Sequence, residues 1–184
     1  AASLTILSMD EMMVRTETEP EGTGEFFGAS DACATVTYSR SLTDRFSIGM
    51  NFKYIRQGIY HMNANGFAFD VGTLFTTQFY GMRIGMNIAN FGTKMRMSGK
   101  DSKIFVDINP EASGSNSTLP AHLETQSWPL PLLFRVGVAI DPIQLRRHRM
   151  TVALDALHPN DNSERVNAGI EYSFRELVAL RAGY

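Results

Sequence analysis

The chain has 184 residues, a formal net charge of −2 and a single cysteine, Cys33. That length allows one domain with a substantial core. The near balance of charge gives no footing for nucleic acid, and one thiol excludes an intrachain disulfide and any cysteine-based metal spacing. Mean hydropathy is −0.14 and no apolar run is long enough for a transmembrane helix, which leaves open a β-barrel, where only every second residue need face lipid.

The N-terminus, Ala1-Ala2-Ser3-Leu4, has neither the charged start nor the long apolar stretch of a signal peptide, so the expectation is a mature or truncated chain. Leu4–Met9 is a short strand candidate. Residues 10–31 are acidic, with Glu11, Glu17, Glu19, Glu21 and Glu25, and read as a long loop.

The hairpin over 32–55 carries the strongest signal. Phe46, Ile48, Met50, Phe52 and Tyr54 alternate with Ser47, Gly49, Asn51 and Lys53, which is the period of a strand with one apolar and one polar face. Ala34, Val36, Tyr38 and Leu42 alternate the same way before it, with Arg40 the one break. Only Thr43-Asp44-Arg45 separates the two strands, a tight hairpin loop. Pairing Leu42 with Phe46 sets Val36 opposite Phe52 and Thr35 opposite Lys53. Strands of about ten residues exceed the soluble average of about 5–6 and match the 9–11 that a membrane-spanning β-strand needs.

The spacing predicts a loop over Gln57–Asn65, a strand over Gly66–Phe75, a turn at Thr76–Gln78 and a strand over Phe79–Phe91 that alternates Met82, Ile84, Met86 and Ile88 with Arg83, Gly85 and Asn87. Residues 92–131 form the longest aperiodic segment, rich in Gly, Ser, Asn and Pro, which marks a functional or disordered loop. Within it Ile104, Phe105, Val106, Ile108, Trp128 and Leu130 are apolar; Phe105, Trp128 and Leu130 are candidate contacts for a partner. Asn116-Ser117-Thr118 fits a glycosylation triplet, a pattern short enough to arise by chance. Strands follow over Leu132–Ile140, closed by Asp141-Pro142, then Met150–Leu157, Arg165–Phe174 and Val178–Tyr184.

About nine strands result. Their connections alternate in length, and outer-membrane barrels have short periplasmic turns and longer extracellular loops. The long loops are therefore expected outside the cell and the short turns in the periplasm. Ile48, Met50, Phe52, Ile84, Met86, Val136, Val138 and Ile170 are expected to face lipid or a partner. The opposite face is small and polar with about one charge per strand: Lys53, Asp70, Arg83, Arg135, Asp155, Glu171 and Arg181. It reads as the wall of a lumen whose opposite charges pair across the ladder, Glu171 with Arg181 and Asp70 with Arg83. Aromatic residues beside the turns, such as Phe46, Phe75, Phe79, Tyr80 and Phe174, fit interfacial girdles.

The turn motif Tyr38-Ser39-Arg40-Ser41-Leu42-Thr43-Asp44-Arg45-Phe46-Ser47-Ile48-Gly49, with Phe69-Asp70-Val71-Gly72-Thr73, Ile88-Ala89-Asn90-Phe91-Gly92 and Leu130-Pro131 through Phe134-Arg135-Val136-Gly137, resembles the PorV/PorQ family of outer-membrane proteins of Bacteroidota-type bacteria. The resemblance covers most of the chain. It implies a FadL-like, antiparallel up-and-down transmembrane β-barrel of about fourteen strands, of which residues 1–184 supply about nine, without the N-terminal plug and the final strands. It also implies a role in type IX secretion, beside the translocon barrel, handling cargo with C-terminal signal domains. The partners expected are therefore outer-membrane lipid, the secretion translocon barrel and cargo domains.

No catalytic arrangement is expected. His61, His122, His148 and His158 all fall in loops or turns, and no phosphate-binding or nucleophile motif occurs. No cofactor or metal is implied. Two rival readings stand beside the secretion barrel: a FadL-like channel for hydrophobic solutes, and a soluble β-sandwich whose apolar stripe would be buried between two sheets.

Overall fold

The computed structural model describes residues 1–107, 118–175 and 177–184. Ile108, the Asn116-Ser117 part of the glycosylation triplet and Glu176 lie outside the described residues. The strands are β1 (Ala2–Ser8), β2 (Ala29–Thr43), β3 (Phe46–Ile59), β4 (Met62–Thr76), β5 (Arg83–Gly92), β6 (Leu133–Gln144), β7 (His148–Pro159), β8 (Arg165–Phe174) and β9 (Val178–Gly183). Each pairs antiparallel with the next in sequence, giving one nine-stranded meander. There is no α-helix among the described residues. β1 and β9 do not pair with each other, so the sheet is open.

The central hairpin has the expected register through most of its length, with Val36 opposite Phe52 and Thr35 opposite Lys53. Leu42 does not pair with Phe46. A bulge between Ser41 and Thr43 sets Thr43 there instead. The Thr43 hydroxyl accepts from the backbone N–H groups of Arg45 (3.3 Å) and Phe46 (3.1 Å), which fixes the turn.

Several expected boundaries move. Gln57–Asn65 is not a loop: β3 and β4 run on to a two-residue turn at Tyr60-His61, with Arg56 paired to Asn65 and Gln57 to Ala64. Polar side chains at the end of a strand do not stop its backbone from pairing. Residues 77–82 form the next turn, and Arg83 rather than Phe79 starts β5. Asp70 is consequently not opposite Arg83. Arg83 pairs with Thr76, and a bulge between Phe69 and Val71 offsets the ladder at Asp70. Asp141-Pro142 does not end β6. The strand passes through both residues because a bulge between Ile140 and Ile143 takes the proline out of the regular ladder, where its missing N–H costs nothing.

The connections still differ by end, with one exception. At one end of the sheet lie residues 9–28, 93–107, 118–132 and 160–164, together with the short Tyr60-His61 turn; at the other lie 44–45, 77–82, 145–147, 175 and 177. The two long segments are not bare loops. Met12–Met13 pairs with Phe26–Phe27, Met95–Arg96 with Ser127–Trp128, and Lys103–Val106 with Leu119–His122.

The buried apolar residues among those described are four: Ala64, Ala68, Met95 and Leu130. A water-soluble domain of this length hides most of its apolar surface. Here large apolar side chains stand open instead, among them Phe69 (52 %) and Met86 (49 %). Phe69 and Met86 share one face, where cross-strand aromatics touch: Phe52 lies 5.1 Å from Phe69 and 5.8 Å from Phe67 between ring centroids. The apolar stripe is therefore not buried against a second sheet, and the β-sandwich reading is corrected on that ground. On the other face Gly49 pairs with Gly72 and Gly85 with Gly137, leaving a trough.

Gly137 has a specific reason to lack a side chain. A Cβ there would stand 2.2 Å from Asp155 Oδ1. Gly137→Ala should cost about 1–3 kcal/mol of stability through forced displacement, read as a lower denaturant midpoint. Gly169→Ala, whose Cβ would meet nothing nearer than 3.8 Å, should leave the midpoint unchanged or raise it.

Candidate functional site

Alternation puts small and polar side chains on one side of every strand, and the ladder brings them into register. All seven charged residues expected on this face make ion pairs. Lys53 reaches Asp70 at 2.7 Å, Arg135 reaches Asp155 at 2.5 Å and Arg181 reaches Glu171 at 2.5 Å. Glu171 and Arg181 are direct ladder partners, as the sequence predicts. Arg83 instead pairs with Asp141 at 2.9 Å. Asp141 was missed because the proline after it reads as a strand end; yet it extends the alternation Arg135, Gly137, Ala139 by one step. The Thr151 hydroxyl also donates to Asp141, at 2.7 Å.

The densest part of the face centres on Asp70. Its carboxylate accepts from Asn51 Nδ2 at 2.9 Å, from Lys53 Nζ and from the Asn90 backbone N–H at 2.8 Å. Lys53 also donates to Asn90 Oδ1 at 2.9 Å, and Asn90 Nδ2 donates to the Pro131 carbonyl at 2.9 Å. Asn90 has φ 62°, a left-handed conformation that asparagine tolerates better than most residues. Through its side chain and its backbone N–H together, this one residue ties three strands to the return leg of the long loop.

Above that network the long loop folds back onto the polar face. Met95 is buried against Ala64 and Ala68, with Leu130 beside it and Ile55, Met97 and Trp128 packed around. The fit depends on missing side chains: a Cβ on Gly66 would meet Met95 Cγ at 3.0 Å, and one on Gly92 would meet the Phe67 carbonyl oxygen at 2.0 Å. Thr93 crosses here, its N–H donating to Phe67 O at 2.9 Å and its hydroxyl accepting from Phe67 N at 3.0 Å. Of the three expected loop contacts, Trp128 and Leu130 are used in this packing. Phe105 alone stands free, 76 % exposed.

On the opposite face Ile48, Met50, Phe52, Ile84, Met86, Val136, Val138 and Ile170 are all where alternation predicts, sharing the side that holds Val36, Phe69 and Val71. This face carries no Lys, Asp or Glu in the nine strands. Its two arginines lie at opposite ends, Arg40 beside Ile48 and Arg56 beside Asn65. From Ile48 to Arg56 is about 27 Å of strand at roughly 3.4 Å per residue. Aromatic and imidazole groups border the band: His148 Nδ1 hydrogen-bonds the Tyr172 hydroxyl at 2.6 Å beside Phe174, and His158 pairs with Glu164 at 2.9 Å.

Three histidines are thus in strands rather than loops, His122 in the short ribbon and His148 and His158 in β7. His122 Nδ1 lies 3.1 Å from Ser102 Oγ. The buried Ser102 hydroxyl also donates to the Gly99 carbonyl at 2.7 Å. Among the described residues no group of three or more His, Cys, Asp or Glu could hold a metal ion. At the loop end Tyr60 donates to Glu25, and that carboxylate raises the phenol pKa above its ordinary value.

No protein-family model matches the chain, and no curated protein matches it. The site is therefore read from its own chemistry: a sheltered polar face crossed by ion pairs, covered at one end by its own loop, and backed by an exposed apolar band.

Removing Asp70 should leave Lys53 sheltered without its counter-charge. Asp70→Ala should cost about 3 kcal/mol or more, the scale for breaking a buried pair, while Arg181→Gln, at a far more exposed pair, should cost under about 1 kcal/mol. Denaturant midpoints of the two variants check the order; equal losses would contradict it.

Proposed function

We propose that this chain is a non-enzymatic part of an antiparallel up-and-down, FadL-like β-barrel of the outer membrane. Its apolar face meets lipid and its polar face lines the lumen. The observation that carries the reading is the charge-free apolar band, about 27 Å along the strand by the residue rise, which at the 35–45° strand tilt of such barrels spans about 19–22 Å of height, near their roughly 25 Å outer band. Its sheltered reverse holds the ion pairs. In that barrel the free edges of β1 and β9 pair with further strands, because unpaired backbone groups are not tolerated in hydrocarbon. Fourteen strands is the number the PorV/PorQ resemblance implies.

The role we propose is in type IX secretion, beside the translocon barrel and in contact with cargo C-terminal signal domains. It rests on the resemblance of the strand and turn motifs around Tyr38–Gly49, Phe69–Thr73 and Leu130–Gly137. Met95 and Leu130 cover the long-loop end of the polar face, while a trough of about 460 Å³ lined by Gly49, Gly72, Gly85 and Gly137 runs along the same face, a feature that the rival solute channel would use. The long-loop end, with Phe105 exposed, is assigned to the outside of the cell.

Met86→Arg discriminates the membrane reading from a solvated sheet. In a bilayer an arginine near mid-band should cost about 2–4 kcal/mol; on a surface in water the same change should stay within about 0.5 kcal/mol. Folding titrations in lipid vesicles read the difference. For the secretion role, tagged protein purified from detergent-solubilised membranes should bring the translocon barrel with it. Recovery without that barrel, with apolar solute bound, would favour the channel.

A further inference from the structure

The turns at the short-connection end hold a feature that the ladder does not use. Arg147 and Arg175 lie side by side, the Arg175 N–H donating to the Arg147 carbonyl at 2.7 Å. Between them is a cavity of about 260 Å³ lined by Arg146, Arg147, Arg149, Arg175, His148 and Ser173 among others, with no carboxylate among the described residues of its lining. The nearby described acids on the polar face form their ion pairs with other arginines, Glu171 with Arg181 and Asp141 with Arg83, and Glu171 attracts Arg149 only at longer range across a shared cavity. None of the four arginines makes an ion pair with a described residue, and Arg149 Nε is buried with no hydrogen-bond partner. Arg175 is held over the Phe174 ring, its Cζ 5.3 Å from the centroid.

Four guanidinium groups around one pocket repel one another, and a buried unpaired N–H is costly. A multivalent oxyanion answers both, since guanidinium groups bind phosphate in forked pairs. The rim adds a second property: Leu145 and Leu177 project beside the arginines, 67 % and 82 % exposed, next to the His148–Tyr172–Phe174 group. Greasy tips beside a basic pocket suit the boundary between hydrocarbon and headgroups.

We propose that this pocket binds a phosphate group, that of an anionic phospholipid headgroup or free inorganic phosphate. Arg149 and Arg175 are its principal contacts. The lipid source rests on the membrane reading above; the oxyanion site does not.

The test is calorimetric titration of the full chain, folded in non-ionic detergent at low salt. The two probes are inorganic phosphate and short-chain phosphatidylglycerol, with short-chain phosphatidylcholine for comparison. Saturable binding is expected, weakened about tenfold or more by Arg149→Gln and by Arg175→Gln. Arg165→Gln, at the far end of β8, should leave it within about twofold. Circular dichroism confirms that each variant folds. Tighter binding of phosphatidylglycerol than of phosphate assigns the site to lipid, and the reverse assigns it to the free anion. Absence of saturable binding by both probes, or equal weakening in all three variants, overturns the proposal. If the chain is soluble without detergent, phosphate binding in buffer keeps the site while the membrane reading falls. A chain that needs detergent yet binds neither probe loses the site alone.

Discussion

Apolar side chains must leave water, and this sheet offers them no interior of its own. One face of the meander presents Phe52, Phe67, Phe69, Val71, Met86 and Ile88 outward, and none of them lies in the small buried cluster. The other face shelters Asp70 and seats its lysine partner at 2.7 Å. A globule in water would reverse the two. Under the membrane proposal this inversion accounts for the long strands, the absence of charge between Arg40 and Arg56, and the scarcity of buried apolar residues among those described. A medium that is itself apolar removes the cost of the exposed face, at about 25 cal/mol for each Å² taken from water.

The inverted arrangement makes the polar face the demanding one. Near the loop cover Lys53 and Asp70 are sheltered from bulk water and need each other, while the pairs farther along the face, such as Glu171–Arg181, are more exposed. The pairs Lys53–Asp70, Arg83–Asp141, Arg135–Asp155 and Glu171–Arg181 all form across adjacent strands. Space is made by omission: Gly137 lets Asp155 lie across its strand, and Gly66 with Ala64 and Ala68 lets Met95 settle onto the sheet. Asn90 joins the two devices, bonding Lys53 and Asp70 on one side and the Pro131 carbonyl on the other. The ladder and the cover therefore stabilise each other.

The alternation of side chains was plain in the sequence, because a period of two needs no tertiary knowledge. It grouped Ile48, Met50, Phe52, Ile84, Met86, Val136, Val138 and Ile170 on one face and the seven charged residues on the other, as the ladder has them. Register was less legible. The Glu171–Arg181 pairing followed from a tight turn, but Asp70 and Arg83 were separated by a longer turn and a bulge that no local pattern announces. Asp141 was hidden by Pro142, which ends a strand unless a bulge accommodates it. The loop cover was invisible for another reason. Met95, Trp128 and Leu130 have no periodicity of their own, and their burial depends on Gly66 and Ala68 lying far away in sequence.

The most direct test of the inverted sheet uses two neighbouring positions on β5. With Cys33 replaced by serine, a spin label is placed at Met86→Cys or at Asn87→Cys, and its collisions with oxygen and with a water-soluble nickel complex are measured in lipid vesicles. The label at position 86 should be open to oxygen and closed to nickel, and the label at 87 should show the opposite preference. If the label at 86 meets nickel as freely as one placed at the Tyr60 turn, the apolar face is in water and the membrane assignment is wrong.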